Sequence, residues 1–127
     1  KSPPSCATMP SLSHEGTIYP PASGQCCTGR WLAGMVIDPG IGFAKDTAQN
    51  LTLLSATERF ARLAPVLVGV SRKRFIGELC GEPLASERLG GSIGAAVWCA
   101  MHGAAVVRVH DVKATLQALT VVHALMT

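Results

Sequence analysis

Three short apolar runs, each ending in a different cluster of reactive side chains, constrain this chain most: MVIDPGIGFAK (residues 35–45), PVLVGVSRKRF (65–75) and AAVVRVHDV (104–112). Segments with a helical apolar rhythm separate them. Buried strand, polar strand end, then helix is the order of β/α units with a parallel sheet, where chemistry gathers at the C-terminal ends of the strands. That placement turns Asp38, Lys73, Arg108 and His110 into one candidate site.

The flanking residues set the limits of each unit. Residues 35–37 form a short strand stopped by Pro39 and Gly40, and Asp46 with Gln49 has the spacing of a capping box ahead of Leu51, Leu54, Phe60 and Leu63. Residues 65–70 make the second strand; Ser71 ends it and is placed to cap a helix carrying Phe75, Ile76 and Leu79, which Gly81 and Pro83 stop. Ile93, Ala96, Val97, Ala100 and Met101 mark one face of a third helix, closed by Gly103. Residues 104–109 form the third strand. Asp111 then caps a final helix whose Leu116, Leu119, Val122 and Met126 face the core. The Gly90, Gly91 and Gly94 cluster does not follow a strand, so close helix packing explains it better than phosphate binding.

Residues 1–33 read differently. Five of the eight prolines lie there among many Ser, Gly and Thr, with neither a two-residue nor a 3.6-residue apolar rhythm, which predicts an irregular or disordered segment. The first residue is Lys1 rather than Met, so the chain reads as part of a longer one. A content of 48% hydrophobic and 15% charged residues is enough for a globular core, and the net charge of +3 is too small and scattered for a broad nucleic-acid face. Only Arg72, Lys73 and Arg74 cluster, which suits a local anion site. The most apolar stretch, residues 95–107, is broken by His102 and Gly103 and is shorter than the roughly 20 residues of a membrane span. With no secretory signal pattern, a cytoplasmic protein without a membrane or nucleic-acid partner is expected. Cys6, Cys26, Cys27, Cys80 and Cys99 show no zinc-ligand spacing; they read as reduced thiols, with Cys80 and Cys99 as small core residues.

Each site residue has a plain reading beside the chemical one. Arg108 sits inside an apolar strand one alternation before His110, so both face the same way and could hold an anion such as pyrophosphate; equally, Arg108 could pair with a buried carboxylate and His110 be a satisfied core residue. Asp38 could bind an amino-heterocycle or simply cap the Pro39–Gly40 turn. Gly42 allows close approach of a ligand, Phe43 could wall a ring or pack in the core, and Lys73 follows a strand end where donors converge, or is a loop lysine.

Together DPGIGFAK, GVSRKRFIG, ERLGGSIGAA and RVHDV closely resemble the C-terminal part of the dihydropteroate synthase family, the sulfonamide-inhibited enzymes of folate biosynthesis. The resemblance implies an α/β fold: the C-terminal three β/α units of a TIM-like (β/α)8 barrel, with residues 34–127 a partial pterin-binding domain behind the irregular segment 1–33. It implies the condensation of 6-hydroxymethyl-7,8-dihydropterin pyrophosphate with p-aminobenzoate to give 7,8-dihydropteroate and pyrophosphate. The pterin would be bound by Asp38, Gly42 and Lys73, p-aminobenzoate by Phe43, Ser71 and Arg74, and pyrophosphate by Arg108 and His110, with Lys73, Arg108 and His110 the catalytic set. Arg74 stands where many members have Ser. Mg2+ is the implied metal, its Asn ligand lying outside these units, and the complete enzyme is expected to be a homodimer.

A full barrel needs about 250 residues. The isolated chain is therefore expected to be inactive, and an open three-stranded sheet would leave apolar edges bare. The alternatives are a methyltetrahydrofolate methyltransferase-like pterin-binding domain, against which the SRK and RVHD motifs speak, and a non-catalytic truncated remnant. Dependence on p-aminobenzoate separates the synthase from the methyltransferase-like reading.

Overall fold

The computed structural model describes residues 36–127 and two short strands before them, β1 (Ser11–Leu12) and β2 (Thr17–Tyr19). The rest of the segment 1–33, with Gly34 and Met35, lies outside the described residues. From Val36 onward the chain runs through α1 (Thr47–Ser55), α2 (Thr57–Ala61), β3 (Leu67–Val68), α3 (Arg74–Cys80), a 3-10 turn at Ala85–Glu87, α4 (Leu89–Met101), β4 (Val106–Arg108) and α5 (Val112–Met126).

The expected strand at 35–37 is present as a single parallel bridge between Ile37 and Val66, in which Ile37 N–H donates to Pro65 O and Leu67 N–H to Ile37 O. β3 pairs with β4 in parallel, Leu67 opposite Val106 and Val68 opposite Val107. Ile37, β3 and β4 thus lie side by side in chain order and point the same way, as β/α units require. The far edge of β4 is not bare: β2 pairs with it antiparallel, Thr17 opposite Arg108, and β1 pairs with β2.

The core lies between this sheet and its helices. Val66, Val68 and Val70 alternate along one strand and are fully buried, joined by Val107 and Val109 from the next and by Phe75, Ile76, Ala96, Cys99 and Leu119 from the helices. The opposite face of β4 carries Val106, then Arg108 and His110, both exposed.

Several local expectations hold for their stated reasons. Asp46 and Gln49 form a full capping box at the start of α1, Gly81 ends α3 in the left-handed conformation, and a Cβ on Gly91 would clash with Ile76 Cγ2, so this glycine lets α4 approach α3. Others need correction. The helix expected to run on to Leu63 breaks at Ala56, where the Thr57 hydroxyl takes the Leu54 carbonyl that a continuing turn would use; Leu63 is exposed. In α4 the buried stripe is Ser92, Ala96 and Cys99, displaced from the expected face, so Met101 is exposed. Met126, at the C-terminal end of α5, is exposed as well, and so is Cys80. No described helix is long and apolar enough to cross a membrane.

Candidate functional site

Asp38, Lys73, Arg108 and His110 all lie at the C-terminal side of the parallel strands, because each apolar run gives way there to a turn. Asp38 follows the Ile37 bridge, and its Oδ1 accepts the Gly40 amide at 2.9 Å, closing the Asp-Pro-Gly turn. The loop continues through Gly42 at φ 87° and Ala44 at φ 50°. Three hydrogen bonds hold this unusual path. The Gly42 amide donates to the buried Asn50 Oδ1 at 2.8 Å, and Lys45 Nζ donates to Gly40 O at 2.9 Å and Phe43 O at 2.8 Å.

Lys73 reaches this loop from the next strand end. A Cβ on Gly42 would lie 2.8 Å from Lys73 Cδ, so only glycine leaves room for the lysine stem, and the ammonium sits 4.5 Å from the centroid of the Phe43 ring. Phe43 as a whole is 60% exposed. Cation, aromatic face and bare backbone thus meet at one exposed spot, a surface suited to a flat, polar-edged heterocycle.

The second cluster surrounds β4. Arg108 lies over Gly69, where a Cβ would stand 3.0 Å from its guanidinium. Ser71, expected to cap α3, faces the other way: its buried Oγ accepts the His110 backbone N–H at 3.2 Å and lies 2.9 Å from His110 Nδ1. The N-cap position of α3 falls to Lys73, with no side-chain cap. Asp111 does not cap α5 with its carboxylate either. The carboxylate receives Arg72 Nη2 at 3.1 and 3.3 Å, an ion pair about one third exposed on each side. Arg74 stands apart at the start of α3, its side chain 89% exposed and paired with Glu78 one turn on.

Residues beyond the four strand-end groups build the support. Arg72 adopts φ 58°, and its backbone is gripped at both ends: Ser92 Oγ accepts its N–H at 2.8 Å, and Arg88 Nη1 donates to its carbonyl at 3.1 Å. Arg88 also donates to Glu82 O and Pro83 O, so one guanidinium ties three backbone carbonyls. Arg72 Nε is buried without a partner among the described residues. Asn50 and Ser92 had a legible signal, since each is a polar residue four positions before a buried apolar one, Leu54 and Ala96, on the inward stripe of its helix. Arg88 had none.

No group of three or more His, Cys, Asp or Glu residues able to hold a metal ion occurs among the described residues.

The profile of the family "Pterin binding enzyme" matches residues 32–110. The chain is 46% identical over 94 residues to the dihydropteroate synthase of Escherichia coli K12, covering 73% of this chain and 33% of that protein. Among solved structures, Xanthomonas albilineans dihydropteroate synthase with 4-aminobenzoic acid superimposes with a TM-score of 0.71 at 50% identity, over 72% of this chain and 34% of the other. The same enzyme in complex with 7,8-dihydropteroate gives 0.71 and 50%, over 72% and 36%. The chain spans about a third of the length of the relatives it matches.

Proposed function

Because this chain belongs to the pterin-binding enzyme family and is a homologue of about a third of dihydropteroate synthase, we propose that it carries the pterin and pyrophosphate sites of such a synthase. The whole enzyme would join 6-hydroxymethyl-7,8-dihydropterin pyrophosphate to p-aminobenzoate. Residues 34–127 are then the C-terminal three β/α units of a TIM-like barrel, and 1–33 is no part of those units, although its β1 and β2 extend their sheet. The whole enzyme would act in the cytoplasm as a homodimer on two small molecules.

The observation that carries this reading is the convergence of Lys73, Gly42 and Phe43 from two neighbouring strand ends. In the proposed reaction the bond from the pterin methylene carbon to pyrophosphate breaks early, the electron-rich dihydropterin shares the positive charge, and the aniline nitrogen of p-aminobenzoate bonds to that carbon and loses a proton. Asp38, Gly42 and Lys73 would bind the pterin, while Phe43 and Arg74 border p-aminobenzoate; the hydroxyl of Ser71, also expected beside p-aminobenzoate, is engaged by His110. Arg108 and His110 would hold the departing pyrophosphate and stabilise, by the charge of the one and a hydrogen bond from the other, the negative charge that gathers on it. Positioning and preorganised charge do the work, and no protein nucleophile is required. The described residues hold no group of three His, Cys, Asp or Glu for the Mg2+ that the resemblance implies, and its Asn ligand would lie outside these units.

A chimera in which residues 34–127 replace the corresponding third of the E. coli synthase tests this. Turnover dependent on p-aminobenzoate is expected, falling by about 10²–10³ in Lys73→Ala with the circular dichroism spectrum unchanged. A folded chimera without turnover, or with turnover indifferent to Lys73→Ala and Asp38→Asn, would refute it.

A further inference from the structure

The Ser71–His110 contact specifies more than proximity. A serine hydroxyl has one proton to donate and two lone pairs to accept with. One lone pair of Ser71 Oγ is taken by the His110 backbone N–H. The residue is 5% exposed, so its hydroxyl proton has little access to water, and the acceptor within hydrogen-bonding distance among the described residues is His110 Nδ1, at 2.9 Å. Were Nδ1 protonated, both histidine groups would be donors to the same oxygen and the serine proton would be left buried and unpaired.

We propose that Ser71 is a positioning residue that donates its hydroxyl proton to His110 Nδ1 and thereby holds the neutral ring as the Nε2–H tautomer, with that N–H turned outward as a donor to an anion. His110 then binds pyrophosphate oxygen without first acquiring a proton, beside the permanent charge of Arg108. The anion part rests on the functional reading above; the tautomer does not. The next residues in each loop make a second connection, the ion pair of Arg72 with Asp111. Ser71–His110 and Arg72–Asp111 are two successive links between the same two loops, and together they keep the Ser71 hydroxyl beside His110.

Long-range 1H–15N correlation spectra of the 127-residue chain, labelled at histidine nitrogens and recorded at about pH 8, where ordinary histidines are neutral, read this directly. His102 is an internal control: its Nδ1 lies 2.7 Å from Trp98 O, a carbonyl that can only accept, so His102 is the Nδ1–H tautomer. His110 is expected as the opposite tautomer, favoured about tenfold or more. Ser71→Ala should collapse that preference and weaken binding of inorganic pyrophosphate several-fold, and Ser71→Thr, which keeps the hydroxyl, should restore both. Wild-type His110 protonated at Nδ1, or a preference unchanged in Ser71→Ala, overturns the proposal; the wild-type spectrum decides even where a variant fails to fold. The expected tautomer with no response of His110 to pyrophosphate would leave the Ser71 assignment standing and count against the functional reading instead.

Discussion

At Gly42 two demands fall on one residue. Its φ of 87° is a conformation that a side chain resists, and its missing Cβ makes room for the Lys73 stem at 2.8 Å. Gly42→Ala is therefore expected to cost about 1–2 kcal/mol of stability and to lift Lys73 off Phe43. A urea midpoint and the nuclear Overhauser contacts between the Lys73 ε-methylene and the Phe43 ring measure both; an unshifted midpoint with the contacts intact would contradict the steric argument. Arg72 shows the same economy from the other side, because a non-glycine residue at φ 58° persists only where its surroundings hold it, and Ser92, Arg88 and Asp111 all do.

Among elements, the link from α3 to α4 depends most on a single side chain. Residues 82–84 have no helix or strand ladder, yet the carbonyls of Glu82 and Pro83 are satisfied by Arg88, which reaches on to Arg72 O beside the site. Arg88→Met keeps much of the apolar stem and removes all three hydrogen bonds. A loss of about 1.5–3 kcal/mol is expected, with faster amide exchange at Glu82, Leu84 and Arg72; protection equal to wild type would show that the clip is dispensable. The buried stripe of α4 follows from the same packing. Gly91 brings the helix close to Ile76, and that approach turns Ser92, Ala96 and Cys99 inward and leaves Met101 in solvent.

For the molecule as a whole, the core sits on the helix side of the sheet and leaves the chemistry to the strand ends. Cys99 lies fully buried in that core, and burial pushes its thiol from 9.0 up to about 12, partly offset by its hydrogen bond with Thr57. The folded chain thus favours the neutral thiol: its contribution to stability is intact below about pH 9 and is lost as pH rises towards 12. Urea unfolding between these limits should show a weaker alkaline decline in Cys99→Ala than in the parent chain, and equal slopes would place the titrating group elsewhere. By itself, the sequence determined the alternation of strands and helices, the capping box, the left-handed stop at Gly81 and the delivery of Asp38, Lys73, Arg108 and His110 to one end of the parallel strands. Each of these follows from short-range periodicity and turn chemistry, which a few adjacent residues specify. Only the tertiary structure decided that Ser71 serves His110 rather than α3, that Asp111 takes Arg72 rather than capping α5, that Arg88 ties three carbonyls and that β2 covers the edge of β4. Those choices join positions remote in the chain, where a polar group with several acceptable partners takes the one that packing brings within hydrogen-bonding distance.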